Sequence, residues 1–131
     1  MRTYTVQEAQ ALLPSVVPVL ERLRAGIQEL QAVRAAASVD ARGASADGAL
    51  TANPWAEESG DDVPERLGRV VQAALEQLGE WGIEVKDPAQ GLIDFFHERE
   101  GRVVFLCYLL GEPGIAYWHT VQGGFAGRRP I

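Results

Sequence analysis

Residues 91–121 read GLIDFFHEREGRVVFLCYLLGEPGIAYWHTV, and this stretch decides the fold. Residues 91–97, 102–110 and 115–121 are rich in β-branched and aromatic side chains, the composition of strands. Glu98-Arg99-Glu100-Gly101 and Gly111-Glu112-Pro113-Gly114 lie between them and carry turn residues. Separations this short join antiparallel neighbours. Just upstream, Ile83-Glu84-Val85 alternates before a turn at Lys86-Asp87-Pro88 and adds a short further strand. The same stretch holds both histidines, His97 and His119, and the single cysteine, Cys107. Sheet and reactive chemistry are therefore superimposed.

Turn chemistry sets register, and register sets which side chains share a face. Arg99-Glu100-Gly101 suits a three-residue hairpin loop with glycine in the left-handed position. That places Asp94 opposite Leu106 and Ile93 opposite Cys107. Pro113-Gly114 suits the centre of a type II turn, with Leu110 opposite Ile115. That places Leu106 opposite His119 and Cys107 opposite Trp118. One face then carries Asp94, Phe96, Leu106, Tyr108, Tyr117 and His119. The other carries Ile93, Phe95, Val103, Phe105, Cys107, Leu109 and Trp118. Both are apolar in bulk, and a layer of helices covers only one. The second calls for another cover, and a homodimer through the sheet is the expectation.

Upstream the period changes to that of helices. Thr5-Val6-Gln7-Glu8 fits a capping box. Leu13, Val16, Leu20, Leu23, Ile27 and Leu30 form a seam for another helix. Pro14 and Pro18 fall inside this pattern, and predict a kink or short break within residues 10–18 of a helix over 5–37. Residues 38–60 are rich in Ala, Gly, Ser and Asp and read as a mobile connection, with Trp55 as a large side chain suited to dock on the body. Leu67, Val71, Ala74, Leu78 and Trp81 form a second seam over 62–81, with Pro64 and Glu65 in its first turn and Gly82 as its terminator. Two matching seams predict an antiparallel helical hairpin. Residues 122–131 form a tail rich in glycine and arginine.

The chain has 131 residues, enough for one domain and one core. Its net charge of −6 argues against general nucleic-acid binding. One cysteine forms no internal disulfide, which argues against a secreted, stapled scaffold. The N-terminal residues lack the apolar segment of a signal peptide, and no run is long enough for a membrane span. A cytoplasmic soluble protein is expected.

The candidate metal or ligand set is Asp94, Glu112 and His119. Carboxylate and imidazole beside aromatic rings are natural ligands of a divalent metal, or an acid/base pair. In the predicted register Asp94 and His119 lie two strand spacings apart, too far for a hydrogen bond but near enough to share a ligand. The competing reading is structural: Glu112 bonds its own turn, Asp94 pairs with Lys86 or an arginine, and His119 is satisfied at a sheet edge. Cys107 is a ligand type, yet the register puts it on the face opposite His119, so it reads as a small buried hydrophobe. His97 reads as a solvated strand end. Tyr117 and Trp118, with Tyr108, either line a pocket or pack in a core or interface. Arg128 and Arg129 either bind a carboxylate or phosphate or pair with acids such as Glu112, and ion pairing is favoured.

The runs GIEVKDPAQGLIDF, VVFLCYLLGEPGIAYWH and GFAGRRPI, with Thr5-Val6-Gln7-Glu8-Ala9 and Ala11-Leu12-Leu13-Pro14 near the start, resemble a bacterial family catalogued as domain of unknown function 2203. That family prefers proline after Asp-Phe and tryptophan after Leu-Cys, where this chain has Phe96 and Tyr108. The resemblance implies a bacterial origin, draws attention to Asp94, Cys107, Glu112, Trp118, His119 and Arg128, and supplies no mechanism.

The fold expected is α+β: a long antiparallel helical hairpin on one face of a three- to four-stranded antiparallel sheet. Two function classes stay open. One is a non-enzymatic interaction or small-ligand-binding module acting as a homodimer. The other is a metal-binding protein or metal-dependent enzyme using Asp94, Glu112 and His119.

Overall fold

The computed structural model describes residues 2–43 and 54–131. Among the described residues the fold is α+β, with two α-helices followed by a five-stranded antiparallel sheet and a short 3-10 turn, Phe125–Gly127, before its last strand. Helix α1 spans Val6–Gly43 and α2 spans Pro54–Glu80. The strands are β1 (Ile83–Asp87), β2 (Leu92–Arg99), β3 (Arg102–Leu109), β4 (Tyr117–His119) and β5 (Arg129–Pro130), in the order β1-β2-β3-β4-β5. Among the described residues no helix is long and apolar enough to cross a membrane.

The start of α1 follows its capping box: the Glu8 backbone N–H donates to Thr5 Oγ1 at 3.0 Å, and the Thr5 N–H donates to Glu8 Oε1 at 2.9 Å. The helix runs unbroken through Pro14 and Pro18, in contrast to a break within residues 10–18. Both prolines are exposed and lie one turn apart on the solvent side, where water reaches the carbonyls they free. Both helices are longer than their seams, so part of the 38–60 stretch is helical rather than connection. Residues 44–53 and the side chain of Trp55 lie outside the described residues.

Leu13, Val16, Leu20 and Leu23 of α1 are buried with Val71, Ala74 and Leu78 of α2. A Cβ at Gly26 would sit 2.9 Å from the Val71 side chain, so glycine there permits the close helix contact. At the end of α2, Gly82 takes φ 74° and its N–H bonds the Gly79 carbonyl at 2.9 Å.

The helices cover one sheet face. Ile83, Ile93, Phe95, Leu106 and Tyr108 join their core, with Trp118 partly buried against it. This differs from the expected partition of faces, and the cause lies in two turns. Between β2 and β3, Arg99 pairs with Arg102, leaving a two-residue turn. Its residues Glu100 (φ 52°) and Gly101 (φ 77°) are both left-handed, the type I′ pattern that follows the strand twist. Between β3 and β4, Cys107 pairs with Tyr117, and the tight turn is Leu109–Glu112, closed by the Glu112 N–H on the Leu109 carbonyl at 3.0 Å. Each register is therefore one residue from the expected one, and a one-residue slip moves a whole strand's side chains to the other face. Asp94 pairs with Cys107, not Leu106, and His119 pairs with Phe105. The face away from the helices carries Asp94, Phe96, Phe105, Cys107, Tyr117 and His119.

Candidate metal centre

On this second face, Asp94 of β2, Cys107 of β3 and His119 of β4 converge. All three are buried, at 1%, 1% and 3% exposure. One ligand atom from each lies within 4.8 Å of the others. Cys107 stands between the other two strands' residues, and its small side chain lets Asp94 and His119 close over it. His119 Nε2 reaches Asp94 Oδ2 at 3.0 Å. The direct contact replaces the two-strand separation expected from the sequence.

The protons of this cluster are constrained. His119 Nδ1 lies 2.7 Å from the Thr120 carbonyl, which only accepts, so Nδ1 carries a hydrogen. A neutral ring then turns the Nε2 lone pair toward Asp94 Oδ2. Two acceptors at 3.0 Å require a positive particle between them: a proton, which makes an imidazolium or a carboxylic acid, or a metal ion. Burial pushes the Asp94 carboxyl above its ordinary range, with the neighbouring His119 as the largest opposing influence. Asp94 Oδ1 is buried without a hydrogen-bond partner. The Cys107 thiol acts on the same carboxylate and favours its charged form, more weakly than His119 does. Burial, with the Asp94 charge next, pushes that thiol up to about 12, so without a bound cation it is protonated and unreactive.

A cavity of about 160 Å³ adjoins the cluster, walled also by Lys86, Leu92, Val121, Gly124 and Phe125. A larger groove of about 360 Å³ between the helices has Arg22 as its one charged lining residue and no ligand cluster.

Glu112 is not part of the cluster. Its carboxylate accepts the Leu109 N–H at 2.7 Å and takes both oxygens to Arg128 Nη2, each at 2.7 Å. The Arg128 guanidinium also stacks on Tyr117, 4.0 Å from the ring centroid. Glu112, Arg128 and Tyr117 thus clasp the tail to the β3–β4 turn. Trp118 faces the helix side, between Arg99 and Arg129, whose guanidinium carbons lie 4.5 and 5.5 Å from its ring centroid. His97 is not a free strand end: its Nδ1 meets the Tyr4 carbonyl at 2.7 Å, and the Tyr4 N–H bonds the Phe96 carbonyl. The residue that sequence reasoning set aside is Cys107. Its residue type was the signal, and the register placed it on the wrong face.

Fold and cluster define an α+β chain with a buried aspartate–cysteine–histidine triplet on an antiparallel sheet. Residues 2–131 match the family described as Uncharacterized conserved protein (DUF2203), and the chain belongs to it. No curated protein and no solved structure matches the chain.

Proposed function

We propose that this protein binds one divalent transition-metal ion through Asp94, Cys107 and His119 and presents it to a small ligand in the adjoining cavity. The observation that carries this reading is the pair of facing acceptors, His119 Nε2 and Asp94 Oδ2, with the ring's other nitrogen tied to a carbonyl. That tie is the outer-shell contact metal-bound histidines use to fix their tautomer. A metal ion would take the place of the shared proton between Nε2 and Oδ2 and ionise the thiol. One sulfur, one nitrogen and one carboxylate oxygen suit zinc. Three protein ligands leave a fourth position, and the cavity of about 160 Å³ offers it to water or a small anion, with Lys86 on the rim. An ion so held supplies Lewis-acid chemistry or an activated water.

The set proposed takes Cys107 in place of Glu112, whose carboxylate is engaged by Leu109 and Arg128. A homodimer through the sheet stays part of the proposal. Val121, Gly124 and Phe125 already wall the second face, and the exposed Val103, Val121 and Phe125 are the apolar surface a second copy would cover. A monomer by analytical ultracentrifugation at micromolar concentration would remove the dimer and leave the metal reading intact.

The test is metal content by elemental mass spectrometry on untagged protein, loaded with zinc and gel-filtered. The expected result is one zinc per chain, lost in Asp94→Asn, Cys107→Ala and His119→Ala with circular dichroism unchanged. Metal-free wild type, or ligand variants that keep their zinc, would overturn the reading.

A further inference from the structure

At the hairpin end of the sheet lies a second groove, of about 480 Å³, remote in character from the metal cluster. Arg99, Arg102 and Arg129 line it, with Trp118, Thr120 and Glu100. We propose that this groove binds a compact, multiply charged phosphate compound, such as a diphosphate or a phosphate ester with two neighbouring phosphoryl groups.

Three observations lead there. First, like charges are placed together. Arg99 and Arg102 are direct cross-strand partners, an arrangement that destabilises a sheet unless something neutralises it. Arg129 joins them from β5, where it pairs with Trp118. Second, none of the three forms a salt bridge among the described residues, whereas neighbouring Arg128 is consumed by Glu112. Glu100 is the one acid lining the groove, so the local charge is positive on a chain of net charge −6. Third, the guanidiniums are pre-positioned. Trp118 holds Arg99 at 4.5 Å and Arg129 at 5.5 Å from its ring centroid, which limits the freedom the two would lose on gripping an anion.

Arginine's planar fork matches two oxygens of a phosphate, and three forks suit more than one phosphoryl group. The volume is that of a small-molecule site. A long polyanion is disfavoured, because the rest of this acidic surface repels it.

Titration of the full-length protein with inorganic pyrophosphate, followed by calorimetry and tryptophan fluorescence, tests the proposal. Saturable one-to-one binding is expected, weakened about tenfold or more by Arg99→Gln and by Arg129→Gln, each of which removes a charged hydrogen-bond donor set. Arg69→Gln, on α2 and outside the groove, should leave affinity unchanged. Arg129→Lys keeps the charge and the fold, and should still weaken binding through loss of the fork. No saturable binding at millimolar pyrophosphate overturns the proposal. So does equal weakening by Arg69→Gln, which would mark a diffuse charge effect. Binding of a single-stranded oligonucleotide that pyrophosphate fails to displace would overturn it in favour of a nucleic-acid surface.

Discussion

Cys107→Ala separates the metal reading from a purely structural one. The wild-type thiol is held at about 12, five pH units above pH 7. Ionising it at neutral pH therefore costs on the order of 7 kcal/mol, at about 1.36 kcal/mol per unit. A metal that takes this sulfur as a thiolate must expel that proton, so its apparent affinity rises about tenfold per pH unit below 12. Alanine removes both the ligand and the proton. Zinc affinity, measured by competition with a chromophoric chelator from roughly pH 6.5 to 8.5, should rise with a logarithmic slope of at least about one in wild type. In Cys107→Ala the slope should fall by about one, and the affinity at the upper end by on the order of 100-fold or more, beyond the loss outer-shell changes produce. The fold should survive, since a small buried side chain is replaced by a smaller one at a cost of about 1 kcal/mol. A variant with wild-type affinity and slope would show that the sulfur is not a ligand, and the reasoning from register to site would fail with it.

Asp94→Asn should make the metal-free protein less sensitive to pH. The Asp94 carboxyl is raised in the folded state, so its stabilising contribution is present below the unfolded value and is lost as pH rises through the folded one. The difference in melting temperature in favour of Asp94→Asn should therefore grow as pH rises out of the ordinary carboxylate range toward neutrality, and a constant difference would contradict this. Glu112→Gln should loosen the tail, lowering stability by about 1.5–3 kcal/mol in urea unfolding and raising hydrogen exchange at Arg129, because it weakens a largely buried charged hydrogen-bond clasp. It should not lower zinc content. Glu100→Asn should stabilise the hairpin by about 0.5–1 kcal/mol, since asparagine tolerates the left-handed conformation Glu100 adopts; a loss of stability would argue against the two-residue turn.

The layer arrangement was legible because its signals are local. The Thr5–Glu8 box, the two leucine-rich seams and Gly82 each state a boundary or a face within a few residues. Four of the five strands were legible for the same reason; β5, Arg129–Pro130, lies in the stretch that reads as a glycine- and arginine-rich tail, and it brings the sheet to five strands rather than three or four. Register was not, because it rests on two turns whose chemistry misleads. Glutamate is a poor left-handed residue, so Arg99-Glu100-Gly101 favours a loop in which glycine alone is left-handed, yet Glu100 takes that conformation too. Pro113-Gly114 advertises a turn, while the chain turns at Leu109–Glu112, where the Glu112 carboxylate bonds the Leu109 N–H. Asp94 and His119 read as sharing a face, and in the structure they share one and touch. Cys107 read as lying on the opposite face, because one residue of slip decides whether it meets that pair. The extra length of α1 and α2 was hidden because residues 38–60 carry no sustained apolar period in the sequence.

The most direct test of the central claim is X-ray absorption at the zinc edge of the loaded wild-type protein. The account predicts one sulfur near about 2.3 Å and nitrogen or oxygen neighbours near about 2.0–2.2 Å, in a four-coordinate shell. A shell of oxygen and nitrogen alone, with no sulfur, would place the metal elsewhere and contradict the assignment of Asp94, Cys107 and His119.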